Sequence, residues 1–190
     1  MTKKELRKEM ISILKNLPAD KKLAATRNIT ERAVGFIKEN NYQSVGIVLP
    51  MSIEYDTWTL IDKLLEENIE VYAPKCNYVD KSMNFHRLNS RNEVESDEKN
   101  IPIPDPNQPI NNDIDLLVVP GLIFSTNGYR IGYGGGFYDR FLSTFKNDTV
   151  SLIFSEQIGQ TIVDDHDIPV DTIITDQALF DVKSVRADEK

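Results

Sequence analysis

Residues 120–140 read Pro-Gly-Leu-Ile-Phe-Ser-Thr-Asn-Gly-Tyr-Arg-Ile-Gly-Tyr-Gly-Gly-Gly-Phe-Tyr-Asp-Arg, and five of the chain's nine glycines lie from Gly128 to Gly136. Glycine admits φ > 0 and lets backbone N–H groups approach a ligand closely. Such donors, followed by the start of a helix, suit a phosphate. Arg130 sits inside the run, where a guanidinium can bind two phosphate oxygens at once. Tyr129, Tyr133, Phe137 and Tyr138 are unusual residues for a plain linker. The segment lacks the Gly-Lys-Ser/Thr of a Walker A loop. It is not a GxGxxG fingerprint either, because Phe137 stands where the last glycine would fall. The preferred reading is a nucleotide phosphate site of another kind; a flexible turn is the plainer alternative.

Charged clusters elsewhere can complement such a site. Asp139 closes the glycine run, and Asp164, Asp165, Asp167 and Asp171 flank His166. A hard cation such as Mg²⁺ takes one or two carboxylates together with phosphate oxygens. Asp139, with one of the later aspartates, fits that chemistry, whereas acidic residues near proline also simply cap turns. His166 has no companions at the spacing of a zinc site. At the other end of the chain, Lys3, Lys4, Arg7 and Lys8 crowd the first turns of a helix, where cations oppose the macrodipole. They mark either a solvated face or a grip on an anion shared with the glycine run. Glu54 and Asp56 follow a strand end; Asp56 or Thr57 suits a helix N-cap, and Glu54 does not.

The elements that must position these residues show in the hydrophobic pattern. Leu6, Met10, Ile13, Leu14 and Leu17 mark one helical face over 2–16; Pro18, Ala19 and Asp20 break and restart the chain, and a second helix then runs to about Asn40. Strands are expected at 45–49, at 70–73 (ended by Pro74), at 83–88, at 114–119, at 150–154 and at 173–175. Helices are expected at 58–67 and 137–145. Strand, helix and strand within 45–73 form a βαβ unit, which favours a parallel sheet. The apolar run at 114–119 suits a central strand buried on both faces. Residues 89–112 are polar, with four of the nine prolines from Pro102 to Pro109, and read as a long surface connection. One domain over 1–190 is the expectation at roughly 150 residues per domain.

Composition excludes several classes. The net charge is −8, and it divides into +5 over residues 1–39 and −13 over the rest. An acidic total argues against nucleic acid or an anionic membrane as partner. No run approaches the roughly 20 apolar residues of a membrane span, and no apolar stretch follows the early lysines as in a signal peptide. Cys76 is the sole cysteine, so an internal disulfide is excluded and a cytoplasmic setting is expected.

Taken together, 120–122 and 128–140 resemble the signature of the 5-formyltetrahydrofolate cyclo-ligases. The likeness extends to Lys3 or Lys4 through Arg7, to 49–57 with Glu54, to Ala73-Pro74-Lys75, and to His166-Asp167 with Val170-Asp171. It implies a three-layer α/β/α fold with a mostly parallel central sheet, Rossmann-like, as in phosphosugar isomerases and CoA-transferases. The implied reaction converts ATP and 5-formyltetrahydrofolate, with or without a polyglutamate tail, to 5,10-methenyltetrahydrofolate, ADP and phosphate, with Mg²⁺. By the same resemblance Lys3, Lys4, Arg7, Arg130, Ile131, Gly132, Gly134, Gly135, Gly136, Phe137 and Tyr138 would bind ATP. Leu49, Met51, Glu54 and Tyr133 would meet the folate, Asp139 and Asp167 would hold the metal, and Arg130 and Tyr133 would serve catalysis. A monomer or weak homodimer is expected. The chain departs from the family pattern in three places: Gly134-Gly135-Gly136 supplies no lysine, Phe137 replaces a tyrosine, and Asp105 stands where a glutamate is common. The alternatives are a phosphosugar isomerase or CoA-transferase-like enzyme, needing an acid–base pair beside the glycine run, and a non-catalytic nucleotide-binding module.

Overall fold

The computed structural model describes residues 1–50 and 53–188. Pro18 separates two amphipathic helices, α1 (Lys3–Lys15) and α2 (Ala19–Glu39). The first begins on a reciprocal cap: the Thr2 hydroxyl accepts from the Glu5 amide at 3.2 Å, and the Glu5 carboxylate accepts from the Thr2 amide at 3.3 Å. That carboxylate in the first turn offsets the adverse placement of Lys3 and Lys4 against the helix dipole.

Then follow β1 (Ser44–Gly46), α3 (Trp58–Glu66), β2 (Glu70–Cys76), β3 (Met83–Leu88), β4 (Glu95–Ser96), β5 (Pro102–Ile103) and β6 (Leu116–Val118). The chain continues through β7 (Ile123–Phe124), β8 (Arg130–Ile131), α4 (Phe137–Leu142), β9 (Asp148–Leu152), β10 (Thr172–Ile174), β11 (Leu179–Asp181) and α5 (Val182–Asp188). Seven strands form one sheet in the order β11-β10-β9-β6-β1-β2-β3. The five inner strands are parallel, while β3 and β11 run antiparallel at the edges.

Alternation along the strands divides the core in two. Val45, Val71, Leu116, Val118 and Val150 pack with Met10, Leu14, Ile29, Ala33, Leu60 and Leu64 from α1, α2 and α3. Leu117, Val119, Ile153 and Ile173 face the opposite way, against Leu142 of α4 and Val182 of α5. The expected three-layer α/β/α architecture is therefore present, with a thin second layer.

Several boundaries differ from expectation for identifiable reasons. Pro74 does not end its strand. Ile47 donates to the Tyr72 carbonyl at 2.9 Å, so even-numbered residues of β2 point their backbone groups toward β1. Lacking an N–H, Pro74 can end only that parallel ladder, and the antiparallel ladder with β3 continues to Cys76. Helix α4 stops at Leu142 rather than 145; Ser143 turns its hydroxyl back to the Arg140 carbonyl at 2.6 Å. The polar stretch 89–112 is not bare connection. It folds into the β4–β5 ladder, and its end lies along β3, where Arg87 donates to the Pro109 carbonyl and Asn111 to that of Phe85, both at 2.9 Å. This covers a sheet edge that would otherwise be open. Among the described residues no helix is long and apolar enough to cross a membrane.

Candidate active site

The chain order of the sheet reverses between β1 and β6: β2 and β3 lie to one side, β9 and β10 to the other. A crevice opens at the carboxyl ends of strands at such a switch point. Here it is a narrow cleft lined by Val48, Glu54, Val119, Pro120 and Gly121. On one side the cleft adjoins an open groove of about 660 Å³ lined by Lys22, Leu23, Thr26, Pro50, Glu54, Asp56 and Trp58. A separate cavity of about 140 Å³ is lined by Lys3, Arg7, Arg130, Tyr133, the three consecutive glycines, Tyr138, Asp139, His166 and Asp167. The groove has the size of a small-molecule site.

Glu54 reaches the cleft because its neighbours are anchored. Tyr55 is buried, with its hydroxyl bonded to Thr30 of α2. The Thr57 hydroxyl donates to the Val48 carbonyl at 2.8 Å, and Asp56 accepts the Trp58 amide at 3.1 Å to start α3. Of the two expected caps, Asp56 performs the role and Thr57 ties the loop to the strand end. Tyr133 then donates to the Glu54 carboxylate at 2.5 Å, joining the glycine run to the rim of the groove. Burial pushes the Glu54 carboxyl above its usual range against the pull of that hydrogen bond. The Tyr133 phenol is pushed up first by burial and then by the Glu54 charge.

The glycine run turns through left-handed backbone at Gly134 (φ +99°) and Gly136 (φ +76°), conformations that disfavour any side chain. Helix α1 lies over it: the Arg7 guanidinium donates through Nε to the Gly132 carbonyl at 2.8 Å. One turn earlier, Lys3 donates to Asp164 at 2.6 Å and to Asp167 at 3.2 Å. Desolvation lowers the Lys3 pKa, but the hydrogen bonds to those carboxylates win and raise it. Lys4 is exposed and outside the cavity wall.

Arg130 is 7 % exposed and committed to protein partners, donating to the Pro120 carbonyl at 3.2 Å and to Asp139 at 3.0 Å. The residue expected to anchor phosphate and one expected to hold metal are thus an ion pair on one wall. Asp139 also accepts the Ile168 amide at 3.3 Å. Helix α4 has only six residues, so the cationic groups at this cavity are the side chains of Lys3, Arg7 and Arg130 rather than a long helix dipole. Among the described residues, Asp164, His166 and Asp167 are a trio whose ligand atoms lie within 4.8 Å of one another.

Other expected residues lie elsewhere. The side chains of Ile131 (1 % exposed) and Leu49 (3 % exposed) belong to the core and do not line the cavities. Asp105 caps its own turn, accepting the Asn107 amide at 2.9 Å. Met51 lies outside the described residues. Two features were not legible beforehand. Lys22 and Trp58 line the groove from positions that read as ordinary helix surface. Tyr138 is among the residues that line the cavity, and its hydroxyl is buried with no protein partner within hydrogen-bond distance. A buried polar atom left so is uncommon.

The family model described as the 5-formyltetrahydrofolate cyclo-ligase family matches residues 1–176. The chain belongs to that family. Among its cyclo-ligase relatives, the 5-formyltetrahydrofolate cyclo-ligase of Mus musculus is 29% identical over 90% of this chain and 92% of its own. The protein of that name from Haemophilus influenzae is 28% identical over 90% and 96%. The NMR structure of Aquifex aeolicus 5,10-methenyltetrahydrofolate synthetase superposes with a TM-score of 0.84 at 26% identity, covering 96% of this chain and 94% of that one. The cyclo-ligase match takes in every residue of the cleft, the groove and the glycine-run cavity, and it stops before β11 and α5.

Proposed function

We propose that this chain uses ATP to cyclise 5-formyltetrahydrofolate to 5,10-methenyltetrahydrofolate, releasing ADP and phosphate. The observation that carries the reading is the Tyr133–Glu54 hydrogen bond. It joins a cavity walled by Lys3, Arg7 and Arg130 to a groove of about 660 Å³, the size of a small-molecule site. The family match favours this chemistry over an isomerase or a bare nucleotide module.

A formamide oxygen is a poor leaving group, so ring closure onto N10 requires it to be converted first. The formyl oxygen attacks the γ-phosphorus and ADP departs. N10 then attacks the activated carbon, its proton is lost, the C–O bond breaks and phosphate leaves. No protein nucleophile is needed; the chain contributes position and charge. Loop N–H groups, Arg130, Arg7 and Lys3 receive the phosphates. Glu54 meets the folate, and its upshifted carboxyl suits it to accept the N10 proton.

Asp139 and Asp167 are hard oxygen donors that line the same cavity, a donor chemistry that fits Mg²⁺. When bound there, the metal would neutralise phosphate charge. Arg130 is paired with Asp139 and Lys3 with Asp167, which keeps both cations at the cavity that would receive the phosphates. The test is the absorbance of the conjugated methenyl product with and without ATP and Mg²⁺. An ATP-dependent rise is expected; folded protein giving none rejects the reading.

A further inference from the structure

Helix α5 lies beyond the family match, yet its Arg186 reaches the frame of the glycine-run cavity. Nη1 donates to two backbone carbonyls, of Asn127 at 2.8 Å and of Val170 at 2.7 Å, and Nη2 stands 3.7 Å from an Asp171 oxygen. The two carbonyls belong to separate pieces of the chain. Asn127 is in the turn joining β7 to β8, just before Arg130. Val170 ends the segment 164–170, which carries Asp167. That segment touches the site twice more, through the Ile168 amide on Asp139 and through Asp167 on Lys3. The Val170 amide also donates to the Gly128 carbonyl at 3.0 Å. Turn and segment are therefore joined by one backbone bond and one shared guanidinium.

The junction has little slack. Gly128 has φ +92°, and a Cβ there would fall 2.5 Å from Nη1 of Arg186 and 2.6 Å from the Val170 carbonyl. Helix α5 is itself fixed, with Val182 fully buried and the Lys183 amide donating to the Asp171 carbonyl at 3.0 Å. Asp171 in turn accepts the Thr149 amide of β9 at 3.0 Å. The Arg186 side chain is 19 % exposed, so its charged hydrogen bonds act in a partly dry setting.

We propose that Arg186 is a positioning residue for the nucleotide site. By holding the β7–β8 turn against the 164–170 segment, it sets the spacing between Arg130 and the carboxylates that line the same cavity. The proposal rests on the reading of that cavity as the phosphate site. Arg186→Met keeps the aliphatic stem and removes every donor. Hydrogen–deuterium exchange is followed at 125–131 and 164–171, ATP binding by calorimetry, and KM for both substrates by methenyl absorbance. Faster exchange is expected in those two segments and not in β1 or β6. ATP Kd and KM should rise about tenfold, with KM for 5-formyltetrahydrofolate within about twofold of the parent. Arg186→Lys, which keeps the charge and one donor set, should recover part of the ATP affinity. Unchanged exchange in both segments overturns the proposal, as does an equal rise in both KM values, which is the mark of general loosening. If the parent forms no methenyl product, the reading of the reaction fails. The exchange and ATP-binding results still decide whether Arg186 holds the turn.

Discussion

Removing one oxygen from Tyr138 should move stability and activity in opposite directions. The Tyr138 hydroxyl is buried without a protein partner, and leaving such a group unsatisfied costs about 1–3 kcal/mol. Tyr138→Phe removes that penalty while the ring keeps its packing with the core around Phe85 and Leu142. With partial relaxation, a gain of about 1 kcal/mol is expected. In a chain of this size that raises Tm by roughly 2–4 °C. Burial holds the phenol well above its ordinary pKa, so it remains a donor across the working pH range. A hydrogen bond from it to a charged phosphoryl oxygen would be worth about 1.5–3 kcal/mol. Its loss should lower kcat/KM by roughly 10–100-fold. The assay pairs thermal denaturation without ligand with steady-state methenyl formation. A hydroxyl serving only the fold gives the opposite signature, a lower Tm with kcat/KM within about twofold of the parent, and that result would refute the reasoning.

Two further perturbations separate the halves of the site. Glu54→Gln should raise KM for the folate more than for ATP. The folded pKa of Glu54 lies above its unfolded value of about 4.3, so its contribution to stability is whole below that value and is lost as pH rises through the folded one. The Tm of Glu54→Gln relative to the parent should therefore improve from about pH 5 to about pH 8; a flat difference would show that burial does not govern this carboxyl. Lys3→Ala should weaken ATP binding about tenfold, whereas Lys4→Ala stays within about twofold, because only Lys3 lies on the cavity wall. Equal effects in calorimetric titration would remove the distinction.

The glycine run was legible because five glycines around one arginine have few other uses, and the first two helices because their apolar spacing is regular. What Arg130 touches was not legible. Its pairing with Asp139 depends on the β7–β8 hairpin, whose strands of two residues are too short to show a period. Alternation across β8 also explains Ile131: lying between Arg130 and Gly132, it turns its side chain to the opposite face, into the core. The choice between Lys3 and Lys4 is a matter of helix register against a loop 125 or more residues away, which no local pattern carries. The C-terminal β11 and α5 carried no signal, since Leu179 and Phe180 are exposed and the helix has seven residues.

The contact between Lys3 and Asp167 spans 164 positions of a 190-residue chain. During synthesis the central strand β1 can pair with β2 long before β6 exists, so three of the sheet's seven strands can form while the site has only one wall. Because His166 and Asp167 line it, the cavity is complete only once the last fifth of the chain has docked. In the finished protein α1 carries no strand, so its fraying would open the cavity while the sheet stays intact. A ligand held between Lys3 and Asp167 would fasten together two parts of the chain 164 positions apart.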